Sequence, residues 1–379
     1  MKKLILVANV AKEHVLKFHV PTIKRLVEEG WVVDVACGGK EVVPYCHHQY
    51  ELPIDRSPFK THLFKAVRQL RNIIESEEHD IVYCHTSVGA TVARLAALKL
   101  RKRGVRVVNF AHGTYFYQGA PLHNWVLYYP LYKALSLVTD ATVTITPEDF
   151  IFSKRHFRHS RVYYVEGIGI DPGRFPAIDQ QMVRNAYREE LSIPQDATVL
   201  IYCAELSRNK NQVFLLHVLA ELLRQETGFY LILAGTDHSA GRCLSVAESL
   251  GVSQNVRFLG WRDDIVQLYA MSDICTASSI REGLGLNLIE AMVCEVPVVA
   301  TSNSGHRAVI TQGKNGMIVE LGDVSGFAQQ ILDLARMPGL RETIIMNAKI
   351  ESEKYFNDNV LTKIMAILEE QYGLRLQTD

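Results

Sequence analysis

The stretch Ile280-Arg-Glu-Gly-Leu-Gly-Leu-Asn-Leu-Ile-Glu-Ala-Met292 carries two glutamates on either side of a glycine-containing turn. A strand-like run precedes the turn, and a helical pattern follows it. Glu282 therefore lies on the loop, and Glu290 lies about one turn into the helix. The start of a helix presents free backbone N–H groups and partial positive charge to an anion. Gly283 and Gly285 let that backbone approach a ligand closely, because they carry no Cβ.

Two carboxylates around such a turn suit a ligand that has hydroxyl groups on both sides of a diphosphate. Glu282 would accept hydrogen bonds from sugar hydroxyls and Glu290 from ribose hydroxyls. The backbone from Gly283 through Leu284 and Gly285 to Leu286 would face the phosphates. These residues predict a nucleotide-sugar site. The alternative is an exposed loop acid followed by a surface helix acid, and the buried strand pattern that follows at 296–300 disfavours it.

Apolar, β-branched runs alternate with helical patterns along the whole chain, which predicts parallel sheets with helices on both faces. The predicted strands are Leu4–Ala8, Val32–Ala36, Ile81–His85, Val105–Phe110, Thr142–Thr146, Val162–Val165, Thr198–Cys203, Phe229–Gly235, Val256–Gly260, Ile274–Ser278, Pro297–Thr301 and Met317–Val319. A Gly- and Pro-rich stretch at 167–176 separates two series. We therefore expect Rossmann-like doubly wound domains at 1–170 and 171–356, with a C-terminal helix at 357–379 that crosses back to the first domain. The 379 residues of the chain suit two domains.

Several phrases of the sequence resemble the family 4 retaining glycosyltransferases. The run ASSIREGLGLNLIEAMVCEVPVVATSNSGHRAVITQGKNGMIVE, residues 277–320, is similar to their donor-site signature. The resemblance covers nearly the whole chain through FHVPTIKRLVEEGWVVDVA (18–36), HTSVGATVARLAA (85–97), AHGTYFYQGAPLHNWVLYYP (111–130) and AELSRNKNQ (204–212). Together these phrases look most like the branch that builds bacterial capsular polysaccharide and exopolysaccharide.

The resemblance implies the GT-B fold, in which two Rossmann-like doubly wound domains face each other across a cleft. It implies that the first domain binds the acceptor and the second binds the donor. The implied reaction is a retaining transfer of a hexose or N-acetylhexosamine from a UDP-linked nucleotide-sugar to an undecaprenyl-diphosphate-linked glycan. No residue resembles a double-displacement nucleophile, so we expect a same-face substitution assisted by the leaving phosphate. We expect no cofactor beside the donor substrate.

Two other functions share this architecture. A nucleotide-sugar 2-epimerase uses the same two-domain cleft but needs an acid–base set of carboxylates in the first domain, and no such set is evident. A two-lobed periplasmic binding protein is disfavoured because no signal peptide is visible. Fold alone does not separate these functions. The site around Glu282 and Glu290 favours the transferase.

Lys210 and Arg208 follow the predicted strand Thr198–Cys203, where a cation beside a helix start can neutralise a leaving diphosphate. The family usually carries an arginine where Glu205 stands in this sequence. Arg208 is then the candidate for the missing charge in donor binding, and two solvated turn cations are the alternative.

His112 ends a predicted strand and is followed by a glycine. Its side chain could bind a donor-sugar hydroxyl, or its backbone carbonyl could face a developing oxocarbenium ion. The resemblance places the family's active-site histidine here. We expect His112, Glu282 and Lys210 to be the catalytic residues.

The remaining predicted contacts lie in loops after strands. Gly235 and Thr236 are expected near the β-phosphate, and Arg262 beside the base. In the first loop, His14 and Lys17 are expected to bind the acceptor, as is Tyr115, the first residue of the aromatic run 115–130. That run suits sugar stacking or a bilayer interface, and a helix packed on the sheet is the alternative.

Composition and charge indicate in which compartment the protein works and which partners it contacts. The seven cysteines are scattered without a C-x-x-C pair, which suggests buried thiols in the reducing cytoplasm. Residues 1–170 hold 23 basic and 15 acidic side chains, although the whole chain has net charge zero. This asymmetry suits a peripheral contact with the anionic inner face of the cell membrane, and simple surface variation is the alternative. We expect no nucleic-acid partner and no metal site, because side-chain cations and a helix start can replace a divalent ion at the leaving group.

Overall fold

A computed structural model describes residues 1–54, 62–114, 116, 120–157 and 159–376. The chain divides into two compact units. The first unit contains Met1–Ile170 and Asn357–Asp379, and the second contains Asp171–Phe356. The division after Ile170 lies in the Gly- and Pro-rich stretch at 167–176.

The first unit is built on a seven-stranded parallel sheet in the order β3-β2-β1-β4-β5-β6-β7. Its strands are β1 Lys3–Val10, β2 Val32–Gly38, β3 His48–Glu51, β4 Ile81–His85, β5 Arg106–Ala111, β6 Ala141–Thr144 and β7 Arg161–Tyr164. β4 is buried along its whole length, as expected where helices cover both faces of a sheet. The order of the strands reverses between β1 and β4, which is where ligands bind in open α/β sheets.

The helices of the first unit follow the strands. They are α1 Leu16–Phe18, α2 Val20–Glu28, α3 Leu63–Ser76, α4 Ser87–Ala97, α5 Tyr129–Ser136 and α6 Pro147–His156. Short π-helical turns cover Ala11–Val15 and Asn124–Tyr128, and a 3₁₀ turn covers Leu100–Arg103. Side chains of α3 and α4, such as Leu70 and Ala93, pack with Ile5 and Val82 of the sheet in one buried cluster.

The second unit is built on a six-stranded parallel sheet in the order β10-β9-β8-β11-β12-β13. Its strands are β8 Thr198–Cys203, β9 Phe229–Ala234, β10 Val256–Gly260, β11 Ile274–Ala277, β12 Val298–Thr301 and β13 Met317–Val319. Its helices are α7 Gln180–Glu190, α8 Gln212–Gln225, α9 Arg242–Ser249, α10 Ile265–Ala270, α11 Leu286–Val293, α12 Ser304–Val309, α13 Val324–Arg336 and α14 Pro338–Ser352. Short 3₁₀ turns cover Pro172–Arg174, Ser253–Asn255 and Glu353–Tyr355. The order of these strands reverses between β8 and β11.

The last helix, α15 Asn357–Arg375, belongs to the first unit. The Asn357 amide donates to the Ile170 carbonyl at 2.9 Å. Farther along the helix, Glu369 accepts a hydrogen bond from the Trp31 indole at 3.1 Å. Val360, Leu361 and other apolar side chains of α15 are buried. Hydrogen bonds and apolar burial therefore join this helix to the body of the unit.

The prediction of two doubly wound parallel sheets is confirmed, with one omission. β3 was missed because His48-Gln-Tyr-Glu51 is half exposed at the sheet edge and contains no apolar run. All seven cysteines are free thiols. Among the described residues, none of the helices has both the length and the apolar composition that a membrane span requires.

Candidate functional site

Lys210 and Glu282 are brought together at the strand-order reversal of the second sheet. Lys210 lies in the loop after β8 and Glu282 in the loop after β11, so both lie at the carboxyl edge of neighbouring strands. The Lys210 Nζ donates to Glu282 Oε1 at 2.5 Å. Their side chains are 22% and 13% exposed. The predicted catalytic cation and carboxylate therefore form a partly buried ion pair.

Serine hydroxyls fix the backbone on both sides of this pair. Ser279 donates to Glu282 Oε1 at 2.5 Å, so this oxygen accepts from both Ser279 and Lys210. The Ser278 hydroxyl contacts the carbonyls of Lys210 and Asn211 at 2.8 and 3.0 Å. The two loops are thus joined before any ligand arrives, and the carboxylate has a single preferred orientation.

Glycine at 305 explains how the loop that carries Glu282 packs on α12. A Cβ added at Gly305 would lie 2.6 Å from the Glu282 Cβ and 2.7 Å from its carbonyl oxygen. Asn303 caps α12 by accepting a hydrogen bond from the His306 amide at 3.0 Å, and its side-chain amide donates to the Ser279 carbonyl at 2.9 Å. Sequence reasoning missed these residues, although they lie within the stretch 277–320.

His306 is a second residue that sequence reasoning missed. It is fully buried, and burial lowers its pKa to about 4. Its Nδ1 lies 2.7 Å from the Thr301 carbonyl, which can only accept, so Nδ1 carries the proton. The Nε2 is therefore a bare acceptor, and it has no hydrogen-bond partner among the described residues. Its ring edge lies against Gly285, where an added Cβ would be 3.3 Å from the His306 Cδ2.

Glu290 is the other predicted carboxylate of this site. It lies on α11, whose start at Gly285 and Leu286 has no side-chain cap. Within the described residues its carboxylate makes no hydrogen bond and no ion pair. Burial raises its pKa, and the charge of Arg174 opposes that shift. A half-buried carboxylate without partners is available to accept hydrogen bonds from a ligand.

Gly285 has a structural role that sequence reasoning did not foresee. A Cβ there would lie 2.8 Å from the end of the Leu288 side chain, so glycine leaves room for this side chain at the start of α11. Gly283 and Leu284 lie in the loop between Glu282 and the helix and are partly exposed. The backbone at 283–286 connects Glu282 to α11, and its role in phosphate binding remains a prediction.

The other predicted donor contacts lie at the same sheet edge but do not contact Glu282. Gly235 follows β9, where a Cβ would lie 2.0 Å from the Ala204 carbonyl oxygen, so glycine is required by this close approach. Thr236 is exposed beside it. Arg262 follows β10 and forms an ion pair with Asp264. Arg208 is exposed and has no ion pair among the residues that the structure describes.

In the first unit, His112 and His14 meet at the strand-order reversal of the first sheet. His112 follows β5 and His14 lies in the turn after β1, with ring centroids 4.7 Å apart. Burial lowers the pKa of His14 to about 4 and that of His112 well below its usual value, so both rings are neutral. His19 and His85 complete a group of four, and sequence reasoning missed these two.

The remaining acceptor-binding predictions are not brought into this group. Lys17 is more than half exposed and pairs with Glu13 at 3.0 Å, one helical turn earlier. Tyr115 lies outside the described residues. The roles of Lys17 and Tyr115 remain predictions.

Comparison with known proteins identifies two families along the chain. The family described as "Glycosyl transferases group 1" matches residues 183–351, and "Glycosyl transferase 4-like" matches residues 3–146. A Bacillus subtilis (strain 168) protein named "Putative glycosyltransferase EpsD" is 41% identical over 344 residues, which cover 90% of this chain and 89% of that protein.

Two solved structures share the fold over nearly the whole chain. Anabaena Alr3699/HepE in complex with UDP and glucose superposes with a TM-score of 0.79 at 19% identity, covering 98% of this chain and 100% of that one. A glycosyltransferase from Rickettsia africae ESF-5 superposes with a TM-score of 0.79 at 18% identity, covering 98% of each chain. At these identities the likeness concerns the fold alone.

Proposed function

The chain belongs to the group 1, 4-like glycosyltransferases of GT-B fold, and on that premise we propose that it transfers a hexose or N-acetylhexosamine with retention from a UDP-sugar to a lipid-linked glycan. The predicted family, fold class and enzyme class are confirmed by the comparisons above. The donor, acceptor and stereochemistry are our proposal.

The observation that carries the proposal is the Lys210–Glu282 pair beside the start of α11. A helix start and an ammonium group suit a diphosphate, and a fixed carboxylate suits sugar hydroxyls. Glu290, which lies one turn along the same helix and makes no hydrogen bond or ion pair in the described part of the chain, suits ribose hydroxyls. In the proposed arrangement, Glu290, the helix start with Lys210, and Glu282 would contact the ribose, the diphosphate and the sugar, respectively.

In the proposed reaction the bond between the anomeric carbon and the diphosphate oxygen breaks. Lys210 and the N–H groups of α11 stabilise the negative charge that develops on the leaving diphosphate. The acceptor hydroxyl attacks the same face of the sugar, and its proton passes to the leaving phosphate oxygen. Glu282 orients the sugar while its anomeric carbon becomes electron-deficient. The charges of Lys210 and the helix start stabilise the leaving group, so the proposed chemistry needs no divalent ion. The donor is a substrate, and no further cofactor is needed.

His112 is proposed to contact the donor sugar from the first unit. Its neutral state, which follows from burial, lets one ring nitrogen accept a hydrogen bond and the other donate one. His14, Lys17 and Tyr115 are proposed to contact the acceptor. Arg208, Gly235, Thr236 and Arg262 are proposed as further donor contacts.

The acceptor is proposed to be an undecaprenyl-diphosphate-linked glycan at the inner face of the cell membrane, in capsule or exopolysaccharide synthesis. The resemblance of the sequence to the branch that builds capsular polysaccharide and exopolysaccharide supports this choice. A surface of the first unit supports membrane contact, because large aliphatic side chains are exposed there: Leu122, Val126, Leu127, Leu131, Leu137 and Ile151. Lys133 lies on α5 with Leu131, and Lys154 and Arg155 lie on α6 with Ile151. Exposed apolar groups with nearby cations suit an anionic bilayer surface.

The epimerase alternative receives no support from the comparisons, since the relatives described above are transferases. An assay can still separate the two reactions. The full chain is incubated with a panel of nucleotide-sugars in EDTA, and both nucleotide release and sugar configuration are measured.

We expect one UDP-sugar to release UDP and a sugar with the anomeric configuration of the donor. Loss of turnover in EDTA with recovery in Mg²⁺ or Mn²⁺ would refute the metal-free mechanism. An epimerised sugar would refute the transferase.

A further inference from the structure

Four histidines converge at the carboxyl edge of the first sheet. His14 lies in the turn Ala11–Val15 after β1, and His19 immediately precedes α2. His85 is the last residue of β4, and His112 follows β5. Because β1, β4 and β5 are adjacent in the sheet, their carboxyl ends bring these side chains to one place. We call them the histidine cluster.

The distances within the histidine cluster are close to those of a tetrahedral metal site. The Nε2 atoms of His14 and His19 are 3.1 Å apart, and His85 Nδ1 lies 3.2 Å from His112 Nε2. One nitrogen from each of the four rings lies within 4.8 Å of all the others. Four nitrogens bound to zinc at about 2.0–2.1 Å are separated by about 3.3 Å. The two close pairs already have nearly this spacing, and the pairs would have to approach one another by up to about 1.5 Å to close the 4.8 Å limit to the tetrahedral value.

Burial favours the neutral form of the rings, and the all-nitrogen ligand set disfavours Mg²⁺ and Ca²⁺. His19 and His85 are buried, and His14 and His112 are partly exposed, so an ion would have a route in. The group contains no carboxylate. Imidazole nitrogens suit zinc, copper or nickel, whereas magnesium and calcium require oxygen ligands.

The facing nitrogens of the histidine cluster can pair either with one another or with a cation. Each close pair needs one N–H and one lone pair, so two of the four facing nitrogens must carry protons. His85 is fully buried, and its Nε2 has no hydrogen-bond partner among the described residues. A cation would accept one lone pair from each ring, with His85 binding through the Nδ1 that faces His112, so the metal would not supply a partner for the His85 Nε2.

We propose that His14, His19, His85 and His112 bind one divalent transition-metal ion, with Zn²⁺ as the first candidate. This site lies in the first unit and takes no part in neutralising the leaving diphosphate in the second unit. It departs from the sequence-based expectation that the chain has no metal site. Because His112 is also the proposed sugar contact, a bound ion and a donor sugar exclude each other there, and saturating Zn²⁺ should lower turnover.

The test uses the full chain without an affinity tag, freed of metal by a chelator. Zn²⁺ is titrated calorimetrically in the absence of donor, and Co²⁺ binding is followed by visible absorption. His14→Asn is the main variant, since His14 is partly exposed and its replacement leaves the buried rings in place. His112→Gln is the second variant, and the exposed His217→Asn in α8 is the matched control. Circular dichroism checks the folding of each variant.

We expect one ion per chain and the absorption of tetrahedral, nitrogen-ligated cobalt. Both cluster variants should weaken binding by more than about tenfold, because loss of even a supporting hydrogen bond to a ligand costs 10–100-fold. His217→Asn should bind as the unmodified chain does. Absence of saturable binding, unchanged affinity in a folded His14→Asn protein, or a thiolate-to-cobalt charge-transfer band would overturn the proposal. Because the metal titration contains no donor, its result does not depend on whether the chain is a glycosyltransferase.

Discussion

The pairing of Lys210 with Glu282 sets the starting point for donor binding. Glu282 Oε1 accepts hydrogen bonds from both Lys210 and Ser279, so it is oriented before the sugar arrives. A diphosphate would compete with this carboxylate for the ammonium group. Charge that is already positioned needs little reorganisation during the reaction, which is how preorganised groups lower a barrier.

The first prediction concerns Glu282. Glu282→Ala should lower kcat and leave the donor KM nearly unchanged, since the carboxylate positions the sugar whose bond breaks. Combined with Lys210→Ala, the two losses should be less than additive, because the residues act through one direct contact. Steady-state kinetics of the single and double variants measure this coupling. Full additivity would mean that the two residues act independently.

The second prediction separates the two cations of the loop after β8. Lys210→Ala should cost about 2–4 kcal/mol of transition-state stabilisation, or about 30- to 1,000-fold in kcat. Arg208→Ala should cause a smaller loss if this exposed side chain replaces the arginine missing at Glu205. Arg224→Ala, in α8, serves as the control. If Arg208→Ala leaves kcat unchanged while Lys210→Ala lowers it strongly, the phosphate site contains a single cation.

The third prediction follows from His306. Its folded-state pKa of about 4 lies below the 6.5 of an exposed histidine. The unfolded chain therefore binds a proton first, and stability is lost as pH falls from 6.5 to 4. The loss should reach about 2 kcal/mol at pH 5. Because the buried histidines of the first unit also have lowered pKa values, the loss in urea unfolding between pH 7 and pH 5 should be larger than this in the unmodified protein and in His217→Asn, and about 2 kcal/mol smaller in His306→Asn than in either. Equal pH dependence in His306→Asn would refute the argument.

Residues differ in how far the sequence reveals them. Glu282, Glu290 and Lys210 were predicted because each lies next to a strand end or helix start. His19 and His85 were missed because their meeting depends on which strands are neighbours. His85 even ended a predicted strand, and the strand order would have placed it beside His112.

At the scale of elements, the aromatic run after β5 has two faces. The rings of Phe116, Trp125, Tyr129 and Phe152 pack against one another, with centroids 5.5–6.3 Å apart. Aliphatic side chains from the same segment are exposed, with Leu122 at 77%. The rings thus stabilise the helices, and the aliphatic residues are the better candidates for the bilayer.

The fourth prediction tests this surface. The full chain should float with liposomes of anionic lipid, less so with neutral lipid or at high salt, since exposed charges are screened within about 10 Å at 0.1 M salt. The double change Val126→Ser with Leu127→Ser should reduce flotation. Leu244→Ser, an exposed leucine of the second unit, should not. If all of these proteins float equally, or if none of them floats, the proposed membrane contact is wrong.

Elements with a continuous apolar run were predictable, and others were not. β4, β8 and β11 are largely buried, and the continuous apolar runs of their sequences predict this burial. β3 forms because Asp34 to Cys37 of β2 offer a free edge, and its own side chains give little signal. The π-helical turn that carries His14 also escaped prediction, since the local pattern is that of a loop.

At the scale of the whole molecule, each unit places its polar groups where its strand order reverses. Lys210 and Glu282 flank the reversal in the second sheet, and His14 and His85 flank it in the first. Doubly wound sheets bind ligands at this position because the loops diverge there and leave a crevice. The alternation of strands and helices predicted both sheets, and it did not specify which side chains would share a crevice.

The central claim is that the second unit binds the nucleotide of the donor through Glu290 and the start of α11. The most direct test is calorimetric titration of the full chain with the nucleoside diphosphate released in the panel assay. Glu290→Ala should weaken binding by about tenfold to a hundredfold, since hydrogen bonds to a charged group contribute about 1.5–3 kcal/mol. The exposed Glu342→Ala in α14 should bind as tightly as the unmodified chain. Equal affinity in the unmodified, Glu290→Ala and Glu342→Ala proteins would contradict the account.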